Sequence, residues 1–202
     1  KESGEVVANC HKVPASEFVR ERLPVGEIVD VYTELLARLW EQNPEIKIVF
    51  TVSPIRHWKD GAIENQRSKA ALILAIDELV KRFPDRCFYF PSYEIVMDEL
   101  RDYRFYAEDM LHLTEVAVDH IWSVFEESLI DAESRKAAVK IQKLVNAMQH
   151  RPVNKRSQEF AVFLNKFLKM TEELEKEYSY LNLKLEKEYF IRHLRELEQN
   201  GG

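Results

Sequence analysis

The sequence predicts a parallel α/β sheet joined to a helical extension, and three observations carry that prediction. Two short apolar runs, Lys47–Ser53 and Cys87–Phe90, alternate with helix-period segments in the manner of βαβ units. The first run is nearly continuous rather than alternating, as in a strand covered on both faces. After Asp131 the strand-like runs stop and apolar residues recur at alternating steps of four and three. The chain therefore divides into an α/β part over residues 1–130 and a helical part over 131–202.

Taken in order, residues 1–13 read as the second half of a β-hairpin. Ser3-Gly4 is the turn, Glu5–Asn9 is a short strand, and the first half is expected before Lys1. Leu23-Pro24-Val25-Gly26 precedes a helix whose apolar face is Ile28, Val29, Tyr32, Leu35, Leu36, Leu39 and Trp40. Asn43-Pro44 stops it. The Lys47–Ser53 strand follows, then a loop over Pro54–Gly61. Asn65–Arg82 is the next helix, broken at Phe83-Pro84-Asp85, before the strand Cys87–Phe90. Tyr93–Leu100 reads as a short helix with Ser92 as its N-cap. Asp102–Leu113 is a loop, and Thr114 caps a helix over Glu115–Leu129 that offers Val116, Val118, Ile121, Trp122 and Phe125 to the sheet.

Ser134–Met148 is helical, and His150-Arg151-Pro152-Val153-Asn154 breaks it. Ser157–Leu197 reads as one long helix with a seam of Phe160, Leu164, Phe167, Thr171, Leu174, Tyr178, Leu181 and Leu185. That seam must bury against the preceding helix, the α/β part or a second copy. The last choice predicts a homo-oligomer through helices 134–198.

Composition excludes several function classes. The 202 residues are 46% hydrophobic and 32% charged, enough to bury a core. The net charge of -6 argues against a general nucleic-acid binder. No apolar run approaches the ~18–20 residues of a membrane span. The two cysteines, Cys10 and Cys87, form neither a disulfide framework nor a metal-ligand set, so no metal or other cofactor is expected. No Gly-rich phosphate loop occurs, which counts against nucleotide binding. No targeting segment is visible, and a cytoplasmic location is the default expectation.

Chemistry concentrates in Phe105–Thr114, which contains Asp109-x-x-His112. An Asp three residues before a His can accept the imidazole Nδ1–H and fix the tautomer, leaving Nε2 to take a proton from a hydroxyl. The alternative is a solvated loop histidine. Arg56 and His57 follow the first strand, at the edge where open α/β sheets bind ligands. They either grip a carbonyl or anionic group, or Arg56 pairs with a carboxylate and His57 is solvated. Asn9-Cys10-His11-Lys12 either lines a site or forms a solvated turn.

Several blocks resemble the bacterial GSCFA domain family. These are Asn9–Lys12, Thr51–His57 with Asn65-Gln66 and Ser68-Lys69, Phe90–Glu94, and Asp98–Tyr106 running into Asp109 and His112. The resemblance covers roughly residues 1–130. It implies kinship with the SGNH, or GDSL-like, esterases and so a flavodoxin-like three-layer α/β/α sandwich, incomplete at its N-terminus. It also implies His112 as general base and Asp109 as its orienting partner; Asn9 is an oxyanion candidate beside them, and Arg56 and His57 stand as substrate-binding candidates from their place at the sheet edge. The family's Gly-Ser-Cys-Phe-Ala block, with its presumed nucleophilic Ser, is not found in residues 1–202. The nucleophile is therefore expected in a part of the protein before Lys1. This chain alone is expected to be inactive, and the full-length form an esterase acting on a small acyl ester or an O-acyl carbohydrate. A non-catalytic scaffold associating through its C-terminal helices is the alternative.

Overall fold

The computed structural model describes residues 3–7, 14–152, 154 and 157–199. The chain forms two compact units, Lys1–Ser123 and Val124–Gly202.

The first unit is built on one βαβ crossover. Helix α1 (Val25–Gln42) leads to strand β1 (Ile48–Phe50), helix α2 (Gly61–Arg82) and strand β2 (Cys87–Tyr89). The strands are parallel and pair Ile48 with Cys87, Val49 with Phe88 and Phe50 with Tyr89. Side chains alternate across a strand. Ile48, Phe50 and Cys87 meet Ile28, Val29 and Leu36 of α1 and Ala75 and Leu79 of α2. Val49 and Phe88 point the other way and stay 40% and 36% exposed. Burial raises the thiol pKa of Cys87, which lies in this core.

These facts correct the expected fold class. Helices of all kinds make up 67% of the structure, and the only sheet among the described residues has two strands. The class is mostly helical, not a flavodoxin-like three-layer α/β/α sandwich. The apolar run Lys47–Ser53 suggested a strand buried on both faces, but only three of its residues pair, and the face carrying Val49 is left partly open. Helix α4 (Glu115–Leu129) does not supply the other layer. It buries Ala117, while Val116, Val118 and Trp122 are exposed. Glu5–Val7 forms no strand, and Val6 and Val7 are exposed; Ala8 and Asn9 lie outside the described residues.

Past β2 the chain makes a short helical turn, α3 (Ser92–Glu94), that widens into a π-turn over Ile95–Glu99, closed by Leu100 N–H on Ile95 O at 3.0 Å. Ser92 is inside this turn rather than its cap. Its buried hydroxyl donates to Val52 O at 2.9 Å and also meets Thr51 Oγ1, so it ties the two strand ends together.

The second unit contains α5 (Ala132–Gln149), α6 (Gln158–Glu177) and α7 (Lys184–Gln199). Asp131 caps α5, accepting from the N–H groups of Glu133 and Ser134 at 2.9 Å each. Ser157 caps α6 through the Phe160 N–H. Leu144, Phe160, Leu164, Leu174, Tyr178 and Phe190 make the core. The expected single helix over 157–197 is therefore two. Tyr178–Leu183 turns the chain back, with Leu183 N–H donating to Glu175 Oε1 and Asn182 Oδ1 accepting from Lys184 N–H. A Glu175–Lys187 ion pair joins α6 to α7. The seam from Phe160 to Tyr178 is filled by helices of the same unit, whereas Leu185 is 74% exposed. The part of the seam from Phe160 to Tyr178 is thus covered within the unit. Among the described residues, no helix is long and apolar enough to cross a membrane.

Candidate functional site

The Asp-x-x-His segment forms a tight loop in the first unit. Tyr106 and Leu113 make an antiparallel bridge at its base. Ala107 N–H donates to His112 O at 2.8 Å, and Met110 N–H returns to Ala107 O at 2.9 Å, closing a turn. Met110 leaves that turn at φ 59, a left-handed conformation uncommon outside glycine. This twist brings His112 back over Asp109.

Asp109 organises the loop with both oxygens. Oδ1 accepts from the N–H groups of Leu111 and His112, each at 2.9 Å. Oδ2 accepts from Nδ1–H of the His112 ring at 2.5 Å. The ring hydrogen bond, followed by the His112 and Leu111 N–H groups, pulls the Asp109 pKa down to about 2. The carboxylate is therefore ionised at neutral pH and can only accept, so in the neutral imidazole the ring proton sits on Nδ1 and Nε2 keeps the lone pair. His112 and Asp109 side chains are 66% and 47% exposed, so Nε2 is reachable from solvent.

Two other histidines pair with carboxylates, and the comparison separates them. His57 Nδ1 meets Asp60 Oδ2 at 2.9 Å, but Asp60 is shared with Arg20, which contacts it at 2.6 Å and is the main cause of its lowered pKa. His120, on α4, meets Glu99 through Nε2 at 3.0 Å. Among the described residues, Asp109 alone is held by its own loop backbone while it meets a ring through Nδ1.

The sequence-predicted residues fall as follows. Arg56 lies beyond β1, half-buried, with its guanidinium carbon 5.2 Å from the Tyr106 ring centroid and 5.9 Å from that of Trp58. The rim after β1 thus touches the base of the Asp109–His112 loop. Among the described residues Arg56 has no carboxylate partner. His57 is not free. Its N–H donates to Asn65 Oδ1 at 2.8 Å, and its ring faces a cavity of about 630 Å³ together with Arg20, Asp60, Asn65 and Ser68. His112 does not line that cavity. Asn9 lies outside the described residues. Thr114 sits just before α4, its carbonyl accepting from Val118 N–H at 3.0 Å and its hydroxyl donating to Phe105 O at 3.3 Å.

Sequence reasoning missed the ring pair Trp58 and Tyr106, which hold Arg56. A Trp two residues after an Arg in a strand-end loop was the available signal. It also missed Arg20, for which neither periodicity nor motif gives one. Among the described residues, no cluster of three or more His, Cys, Asp or Glu is arranged to hold a metal ion.

Hydroxyls near the strand ends are committed to structure. Ser92 and Thr51 bond each other, and Ser53 Oγ accepts from the Ile55 N–H. Among the described residues, no hydroxyl is hydrogen-bonded to His112 Nε2.

Comparison with known proteins returned no similar curated protein and no similar solved structure. Two family models match. One, described as GSCFA family, matches residues 1–125, and the other, described as GSCFA domain protein, C-terminal domain, matches residues 141–196. With both matches in order along one chain, this protein belongs to the GSCFA family.

Proposed function

We propose that this chain carries the base and its orienting acid for an SGNH-like ester hydrolase. The observation that supports the reading is the Asp109–His112 contact at 2.5 Å, with Nδ1 committed and Nε2 open. His112 Nε2 takes the proton of a serine hydroxyl as its oxygen attacks the acyl carbonyl. Asp109 stabilises the imidazolium that forms. The proton then passes to the departing alcohol, leaving an acyl-serine. Water attacks that ester, gives its proton to Nε2, and the serine leaves with it again. The serine is proposed to lie outside residues 1–202, because the Gly-Ser-Cys-Phe-Ala block is not among them. An O-acyl group on a carbohydrate is the substrate that analogy with related esterases offers.

A fluorophosphonate reagent tests this directly. Full-length protein should gain one phosphonyl adduct on a serine, at a rate that collapses in His112→Ala. Peptide mapping of the adduct names the nucleophile. No adduct on the wild-type protein, or one formed equally fast without His112, contradicts the proposal.

A further inference from the structure

Arg56 differs from the other arginines of its unit. Arg20, Arg22, Arg38, Arg67, Arg82, Arg101 and Arg104 each pair with a carboxylate. Arg86 is exposed and lies over Trp40. Arg56 is half-buried, and among the described residues its guanidinium has neither an ion-pair nor a hydrogen-bond partner; its contacts are the Tyr106 and Trp58 rings.

Aromatic rings offset part of the cost of desolvating a cation, but they do not satisfy its N–H donors. A guanidinium has five, arranged as a planar fork that fits a carboxylate through two parallel hydrogen bonds. Two rings restrict the fork's rotation, which lowers the entropy lost when a ligand is gripped. The fork rests on Tyr106, the residue at the base of the loop that carries Asp109 and His112. Residues 1–131 carry 25 Asp/Glu against 15 Lys/Arg, so the long-range field repels anions. A preference for an anion here needs a local, partly desolvated cation, and Arg56 is one.

We propose that Arg56 is a specificity residue that grips a carboxylate on the substrate, so that the ester cleaved at His112 is an anionic one. This rests on the hydrolase reading of the same site. It places the substrate among esters bearing a free carboxylate on the acyl or the alcohol side.

The test uses matched pairs of esters with full-length protein. On the acyl side, mono(4-nitrophenyl) glutarate is compared with 4-nitrophenyl butyrate. On the alcohol side, 4-carboxyphenyl acetate is compared with phenyl acetate. The ratio of kcat/KM within a pair is read, so a general loss of activity cancels. At least one charged ester should be preferred by about tenfold or more, the scale of a charge-assisted bidentate contact. Arg56→Met should bring that ratio near one. Arg56→Lys keeps a cation over the rings, melts with the wild type and retains part of the preference. No preference in the wild type, or a preference that survives Arg56→Met, overturns the proposal.

If no ester is cleaved, the hydrolase reading fails by itself and the anion site is still measurable. Glutarate titrated against the chain should shift the Trp58 indole N–H resonance in the wild type and not in Arg56→Met. An absent shift, or the same shift in both, removes the site.

Discussion

Replacing Asp109 by Asn separates the two tasks of that carboxylate. Asp109 accepts three hydrogen bonds: Leu111 N–H and His112 N–H on one oxygen, and the His112 ring on the other. An Asn side chain can keep the first two through its carbonyl oxygen, so the loop should hold its shape. The third is inverted, because an amide NH2 facing Nδ1 can only donate. The ring proton then moves to Nε2, and the lone pair that would take a proton from a nucleophile is lost. The same change of tautomer in a Ser-His-Asp triad lowers kcat by roughly 10⁴, and a loss of about 10³–10⁴ is expected here. Two assays check it on full-length protein. Imidazole ¹⁵N shifts should report Nδ1–H in the wild type and Nε2–H in Asp109→Asn, with the Leu111 and His112 amide resonances little moved. Ester turnover should fall in step. An unchanged tautomer, or full turnover after the tautomer has changed, would refute the reasoning.

Acid should loosen the same loop late. The Asp109 pKa is lowered from 3.8 to about 2 in the folded chain, so its contribution is fully present above the unfolded value near 4. That contribution fades as pH falls toward 2, and the protection of the Leu111 and His112 amides, read against the intrinsic exchange rate at each pH, should fall over that interval. At Met110, with φ 59, a β-branched residue is strained. Met110→Val should cost about 1–2 kcal/mol, and Met110→Gly should be tolerated, as chemical denaturation would show. In the second unit, Leu174→Ala should cost ~2–5 kcal/mol because Leu174 is 2% exposed. Leu185→Ala should change stability by less than about 0.5 kcal/mol because Leu185 is 74% exposed. Equal losses would restore the continuous seam.

How much of this was legible in the sequence differs by element. Helical period found α1, α2 and α5 because each carries a stripe of apolar residues at fixed intervals, and local hydrogen bonds do the rest. The two strands were visible as apolar runs, but their coverage was not. Burial of a strand face depends on which helices return to it, and Val49 and Phe88, 40% and 36% exposed, show that one face is left partly open. The single helix over 157–197 failed for a related reason. The seam continues in phase through Tyr178 and Leu181, while the break rests on contacts such as Glu175 to Leu183, eight residues apart, which no periodicity encodes. The Asp109–His112 pair was legible because three residues of loop can close on themselves. Arg56 was legible as a strand-end residue, but its clamp was not, because Tyr106 meets it from fifty residues away. Ser92 looked like a helix cap and instead joins two strand ends, because the carbonyl it reaches belongs to Val52.

The proposed hydrolysis depends on His112 acting as a base through Nε2. Its most direct measurement is kcat for hydrolysis of a 4-nitrophenyl ester by full-length protein, wild type against His112→Gln, with circular dichroism confirming that both are folded. The account predicts a fall of about a thousandfold or more. Turnover within a fewfold of wild type in the folded variant would contradict it.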